Sequence, residues 1–223
     1  MGCPPCVPVP AELMCVCACV CVRHPDHDLH AVLKTPQMFV DEWHASVGLG
    51  SNILMGMTAD RRGLLPANDV AKITRVGEYL RRCYAKPIAA NTSSASGGGG
   101  GGGGAGALQL RGPGDFVELA VPKGKSFDRV WLREDITTGQ RALGFRVLAR
   151  RSRSGSGSSG SGLDLAGFEV LVQRNGTSVA RKRIELLNAT LSGVEALRFQ
   201  VTEAVEWPVP MKEVAAFAPC GKV

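Results

Sequence analysis

The stretch FDRVWLREDITTGQR, Phe127 to Arg141, decides how the second half of this chain is read. Arg129–Arg133 is a short apolar-rich run that predicts a strand. The polar cluster Glu134, Asp135, Gln140 and Arg141 follows it and predicts a turn, because loops hold their shape through such side chains. Working outward, similar short runs rich in Val, Leu and Phe occur at Phe116–Val121, Leu143–Ala149, Phe168–Arg174, Ser178–Leu186, Ala196–Val201 and Glu213–Ala218. Turns such as Lys123-Gly124 and Asn175-Gly176-Thr177 separate them. About seven short strands at this spacing predict an antiparallel sandwich. There is no internal repeat.

Two low-complexity stretches cut the chain. Ser93–Gly106 is dominated by glycine and reads as a flexible linker. Ser152–Gly162 reads as an expanded loop inside a domain. The expected division is residues 1–90, a Ser/Gly-rich linker at 91–106, and a β-sandwich domain at 107–223 with a Ser/Gly loop at 152–162. The first block mixes α and β. Ser51–Met57 is a short apolar run bounded by turn residues, which fits a buried strand. Pro66-Ala67-Asn68-Asp69 then opens a helix with proline and an acid in its first turn. Val70, Ile73, Val76 and Leu80 recur at helical spacing, Arg81, Arg82 and Lys86 crowd the end favoured by cations, and Pro87 stops the helix. Phe39–Ala45 reads as the end of an earlier helix. A buried strand between two helices is the local order of a parallel α/β sheet or barrel.

The chain has 223 residues, enough for one or two domains, and at 44% hydrophobic it can fill a core. The formal net charge is +6, much of it in Arg146–Arg153 and Arg181-Lys182-Arg183. Neither run is interleaved with base-stacking aromatics, so no nucleic-acid partner is expected. No stretch is long and apolar enough to span a membrane, and the run Leu13–Val22 lacks the basic flank of a signal peptide. No membrane partner is therefore expected. Met1-Gly2-Cys3 hints at acylation, but Cys6 stands where the myristoylation pattern needs Ser or Thr.

Six of the 8 cysteines fall in the first 21 positions, which is unlike the spread of a disulfide framework. Cys15, Cys17, Cys19 and Cys21 alternate with Val16, Ala18, Val20 and Val22. On one strand such cysteines share a face, with Cα atoms about 6.5–7 Å apart, at or beyond disulfide reach. Four thiols on one strand face do not wrap a tetrahedral ion, so a Cys/Val apolar strand is expected and no metal. His24, Asp26, His27, Asp28 and His30 carry ligand-type side chains at a spacing unlike zinc motifs. A polar loop is expected there.

Three segments in order resemble the α-L-fucosidases of glycoside hydrolase family 29, in the plant and bacterial style. WHASVGLGSNILMGMTADRRGLLP, Trp43 to Pro66, resembles the family's last barrel strand and following loop. Phe127–Arg141 resembles its E-D-I-x-x-G-Q-R signature, for which a sugar contact by Glu134, Asp135, Gln140 and Arg141 is the alternative to a polar turn, and GTSVARKRI, Gly176 to Ile184, its G-T-x-I-G-x-K-R-I. Pro10-Ala11-Glu12 resembles a P-A-E that precedes a histidine, here His24, at a spacing this chain keeps. Asn52 matches an asparagine before the last strand and reads as structural. Leu49, Gly56 and Ala59 depart from the family's Arg, Asn and Pro, which weighs against activity.

The resemblance implies the tail end of a (β/α)8 barrel followed by an antiparallel β-sandwich of the galactose-binding-like type. It implies retaining hydrolysis of terminal α-L-fucose, a fucosylated glycan as partner, and no cofactor. A retaining glycosidase uses two carboxylates about 5–5.5 Å apart. The family's Asp nucleophile aligns upstream of Met1, so no catalytic residue is assigned. Glu12 and His24 are the substrate-binding candidates. A closed barrel needs eight strands and about 200 residues or more, which residues 1–90 do not supply. The alternative is a non-enzymatic carbohydrate-binding or interaction module, which needs exposed aromatics. Asn91, Asn175 and Asn188 head glycosylation sequons. The family is typically secreted, vacuolar or lysosomal, although no signal peptide is visible here.

Overall fold

The computed structural model describes residues 34–57, 59–92, 108–151, 163–164 and 167–223. Glu12, His24 and the cysteine ladder lie outside the described residues. The first elements are helical. In α1 (Pro36–Ala45), proline occupies the first turn and the Thr35 side chain accepts from the Met38 amide at 3.3 Å. Both features suit a helix start. A 3₁₀ turn, Val47–Leu49, ends at Gly50, whose φ is +88°. A side chain there would meet the Lys182 carbonyl at 3.1 Å, so only glycine fits. Helix α2 (Ala67–Tyr84) follows where the sequence predicts one.

Two expectations for this region are corrected. Residues 51–57 form no strand, and Leu54 is 76% exposed. A parallel strand needs neighbours on its edges, and every strand pairing among the described residues is antiparallel. The buried stripe of α2 agrees only in part. Tyr79 and Cys83 are buried with Val40 of α1, Val76 and Leu80 pack around them, and Val70 is exposed.

The rest is a sandwich of two antiparallel sheets. One has the order β1 (Ala89–Thr92), β10 (Val209–Phe217), β4 (Phe127–Glu134), β8 (Arg183–Leu191), with β2 (Leu108–Leu110) also on β10. The other runs β3 (Phe116–Ala120), β9 (Val194–Ala204), β5 (Ala142–Arg151), β7 (Phe168–Arg174), β6 (Leu163–Asp164). Alternation sends Leu132, Phe145, Val147, Leu197 and Phe199 into one core between the sheets, and the register shift between Phe127 and Arg129 turns Phe127 to the same side. Phe145 and Phe199 meet there with ring centroids 5.9 Å apart. The expected strands are present, with Ser178–Leu186 shortened because Ala180 adopts φ +55° before β8 begins at Arg183.

The boundary at residue 90 falls inside β1, which pairs with β10 from Ala89↔Ala216 to Thr92↔Glu213. β2 continues the same line, from Leu108↔Met211 to Val209↔Leu110. β1 and β2 are thus two halves of one edge strand, and residues 93–107 connect them across the width of a single residue, Lys212. Closing a loop costs about 0.6 kcal/mol per doubling of its length. Replacing residues 93–107 by one residue is therefore expected to stabilise the protein by about 2 kcal/mol. Urea unfolding of the shortened chain checks this; a lower midpoint would contradict the shared edge.

Candidate functional site

The helical pair sits on the outer face of the β1–β10–β4–β8 sheet through aromatic side chains. Tyr84 at the end of α2 meets Trp131 of β4 at 5.5 Å and Phe217 of β10 at 5.3 Å, both edge-on. Trp43 of α1 lies 5.4 Å from Tyr84. Lys182 lies over both Trp43 and Trp131, 5.3 and 4.9 Å from their centroids. Its ammonium is lowered in pKa by burial first, and then by Arg133 and Arg181. Arg183 is also mostly covered and pairs with Glu185 at 2.7 Å. Only Arg181 of the Arg-Lys-Arg run is exposed, where alternation predicts two solvated side chains. The run breaks that pattern because β8 begins only at its third residue.

Replacing Lys182 with methionine keeps the stem and removes the charge. Cation–π contacts contribute about 0.5–1 kcal/mol each at partly exposed sites, and burial of the ammonium offsets part of that. The expected loss is about 1 kcal/mol in urea unfolding; a gain in stability would show that desolvation wins.

Inside the seam His44 and the Tyr84 hydroxyl are 2.7 Å apart. Burial pushes Tyr84 up to about 12, opposed by the Arg129 guanidinium. Burial, with Arg129 next, lowers His44. Both groups therefore stay neutral near pH 7. Arg129 is tied to Asp128 at 2.6 Å and lies over the Tyr84 ring. This arrangement joins helices to sheet.

Of the polar cluster, Glu134 is internal to the sandwich, Asp135 and Arg141 are half-buried, and Gln140 is exposed. Glu134 is 1% exposed, and its Oε1 accepts the amides of Arg141 and Ala142 at 2.6 and 3.1 Å. Asp135 caps the 3₁₀ turn Ile136–Thr138 through the Thr137 amide. Arg141 donates to the Pro208 carbonyl at 2.8 Å. The carboxylate thus closes its own β4–β5 turn. A disulfide joins Cys83 of α2 to Cys220 beyond β10, with Cα atoms 5.5 Å apart. Sequence reading missed it, since two cysteines 137 residues apart carry no local signal of their pairing.

No family model matches the sequence, and no curated protein matches it. Solved structures do. A protein from Bacteroides thetaiotaomicron assigned as an α-L-fucosidase superposes with TM-score 0.62 at 22% identity, over 84% of this chain and 35% of its own. One from Bacteroides ovatus with the same assignment gives 0.65 at 22%, over 85% and 28%. A family 29 fucosidase from Ruminococcus gnavus, solved in complex with fucose, gives 0.62 at 16%, over 83% and 37%. Over the covered part, the chain has the fold of these fucosidase structures. This chain spans less than half the length of each of these structures.

The loop between the 3₁₀ turn and α2 is the segment that the sequence reading assigns to the end of a barrel. Asp60 organises it, accepting from the Arg62 amide at 2.8 Å, the Leu64 amide at 3.2 Å and the Arg62 guanidinium at 2.7 Å. Those bonds hold Asp60 below the usual carboxylate range. Asn52 is exposed, as are Leu54, Met55, Met57, Leu64 and Leu65. On the sandwich most aromatics are committed. Phe127, Phe145, Phe168 and Phe199 are buried, Trp207 packs on the core, and Arg198 lies over exposed Phe116 at 3.8 Å. An open groove of about 620 Å³ between α2 and the C-terminus is lined by Arg75, Glu78, Tyr79, Arg82 and Lys222.

Proposed function

We propose that this chain is the C-terminal part of an α-L-fucosidase-like glycosidase, whose whole form cleaves terminal α-L-fucose from glycans with retention. The observation that carries this reading is the shared fold over more than four-fifths of the chain. The order of the three motifs supports it, since each falls on a distinct part of that fold: the loop after α1, the β4–β5 turn, and the approach to β8. The division would be a barrel tail ending near α2 and a sandwich beyond it. Glu12 and His24 would approach substrate only within a completed barrel, where active sites form from loops of several strands. Retaining hydrolysis needs a nucleophilic carboxylate and an acid/base carboxylate on opposite sides of one bond. In the described part, Glu134 and Glu185 are the buried carboxylates, and both are spent on neighbours in the fold.

The expected result is that the purified chain releases no aryl alcohol from an aryl α-L-fucoside above the uncatalysed rate. Robust turnover would overturn the reading that the nucleophile lies upstream. Sequencing the message beyond the Met1 codon supplies the complement. An in-frame barrel carrying an aspartate at a strand end supports the reading, and an in-frame stop there contradicts it.

A further inference from the structure

The three sequons are alike in sequence and differ in the fold. Asn91 lies in β1 opposite Val214, which is 1% exposed. Two residues earlier on the same strand, Ala89 is part of the sandwich core. Side chains two apart share a strand face, so Asn91 is on the inward side, and it is half-buried. Asn175 is exposed in the β7–β8 connection, beside Gly176 at φ +61°, and the Thr177 hydroxyl donates to its carbonyl at 3.2 Å. Asn188 sits on β8, at the open edge of its sheet. There the register runs from Arg129↔Leu186 to Phe127↔Leu191, so residues 187–190 oppose the single residue Asp128. That is a bulge, which turns chain outward, and Asn188, Ala189 and Thr190 are all exposed.

We infer that Asn175 and Asn188 are N-glycosylation sites and that Asn91 is not. Two independent observations point this way. A glycan is bulky and needs a side chain that leaves the surface, which two of the three sequons offer. The Cys83–Cys220 disulfide is the mark of an oxidising compartment, the setting in which sequons of secreted proteins are modified. The donor is an oligosaccharide joined through a diphosphate to a long-chain lipid alcohol. The asparagine Nδ2 bonds to sugar C1 as the C1–O(phosphate) bond breaks. The amide gives one proton to a base of the transferase, and the lipid diphosphate departs with the electron pair. A glycan on Asn188 would also cover the unpaired edge of β8 beside Leu186, which is 49% exposed. Such edges otherwise invite pairing with another chain. This inference is independent of the fucosidase reading.

The test directs the full chain into the secretory route of cultured eukaryotic cells and reads mobility before and after enzymatic removal of N-glycans. The expected result is two glycan steps in the unsubstituted chain, loss of one step in N175Q, of one in N188Q, of both in the double variant, and no change in N91Q. Non-reducing peptide mapping of the same material is expected to recover the Cys83 and Cys220 peptides linked. A glycan on Asn91, or none on Asn175 and Asn188 while the disulfide is linked, overturns the assignment. Free thiols at Cys83 and Cys220 in secreted chain overturn it as well, by removing the compartment argument.

Discussion

Replacing Cys83 and Cys220 together with serine is expected to lower the unfolding free energy by about 4 kcal/mol. The two cysteines are 137 residues apart, and the ring they close contains every described strand of the sandwich. Restricting an unfolded chain by a loop of that length corresponds to about 5 kcal/mol in the chain-entropy description, and native disulfides commonly deliver about 2–5. The native side adds to this. Cys83 is 5% exposed and lies in a cluster with Val40 and Tyr79, against which Cys220 and Val223 pack. A serine hydroxyl there would be buried among apolar groups. The Tyr79 hydroxyl donates to the Gly221 carbonyl at 2.9 Å, so the terminal segment stays partly held without the bond. Substituting both cysteines avoids a lone thiol exchanging with the six others in the chain. The measurement is urea unfolding with and without dithiothreitol. The reductant should shift the unsubstituted chain toward the variant and leave the variant unmoved. Equal midpoints for oxidised and reduced chain would show that the bond adds no stability.

The sandwich was legible in the sequence because its strands are half-buried and alternate. Phe145, Val147 and Ala149 face the core while Arg146 and Arg150 face out, and that pattern is local. Helix α2 was legible from its proline start and its basic end, both local signals again. Its buried stripe was not, because Tyr79 and Cys83 are chosen by what packs on them: α1 and a C-terminal segment distant in sequence. The run 51–57 has the apolar content of a buried strand and is exposed, since a strand's state depends on partners that its own residues do not specify. Polyglycine at 93–107 looks like a boundary by composition, yet its two ends meet the same strand, β10. Composition reports stiffness and says nothing of where the flanks pair. The candidate site was least legible. Its proposed residues, Glu12 and His24, fall outside the described residues, and the polar signature at Glu134–Arg141 serves the turn that contains it.

Glu134 gives the other large effect. Alanine at this position is expected to cost about 3 kcal/mol, because the amides of Arg141 and Ala142 lose their acceptor inside the sandwich and each unsatisfied donor costs about 1–3 kcal/mol. Glutamine retains an acceptor oxygen and should cost much less. The pair also separates charge from hydrogen bonding through pH. Burial raises the Glu134 carboxyl above its ordinary value, with the backbone amides opposing it. The folded state therefore holds this proton more tightly than the unfolded chain does. Its contribution to stability is complete below the unfolded value, about 4.3, and is lost as pH rises through the folded value. Asp60 and Asp135 are shifted the other way, by hydrogen bonds to Arg62 and Thr137, and act below the ordinary carboxylate range. The difference between the unsubstituted chain and the glutamine variant cancels those shared contributions. Relative to the glutamine variant, the unsubstituted chain should thus become less stable as pH is raised from about 4 toward 7. The acidic proton has an evident place, since Oε2 of Glu134 is buried and makes no hydrogen bond while Oε1 carries both amides. A difference that stays flat with pH would show that folding leaves the proton affinity of this carboxyl unchanged, the two amides offsetting the cost of burying its charge, and one that rises would show that they outweigh it.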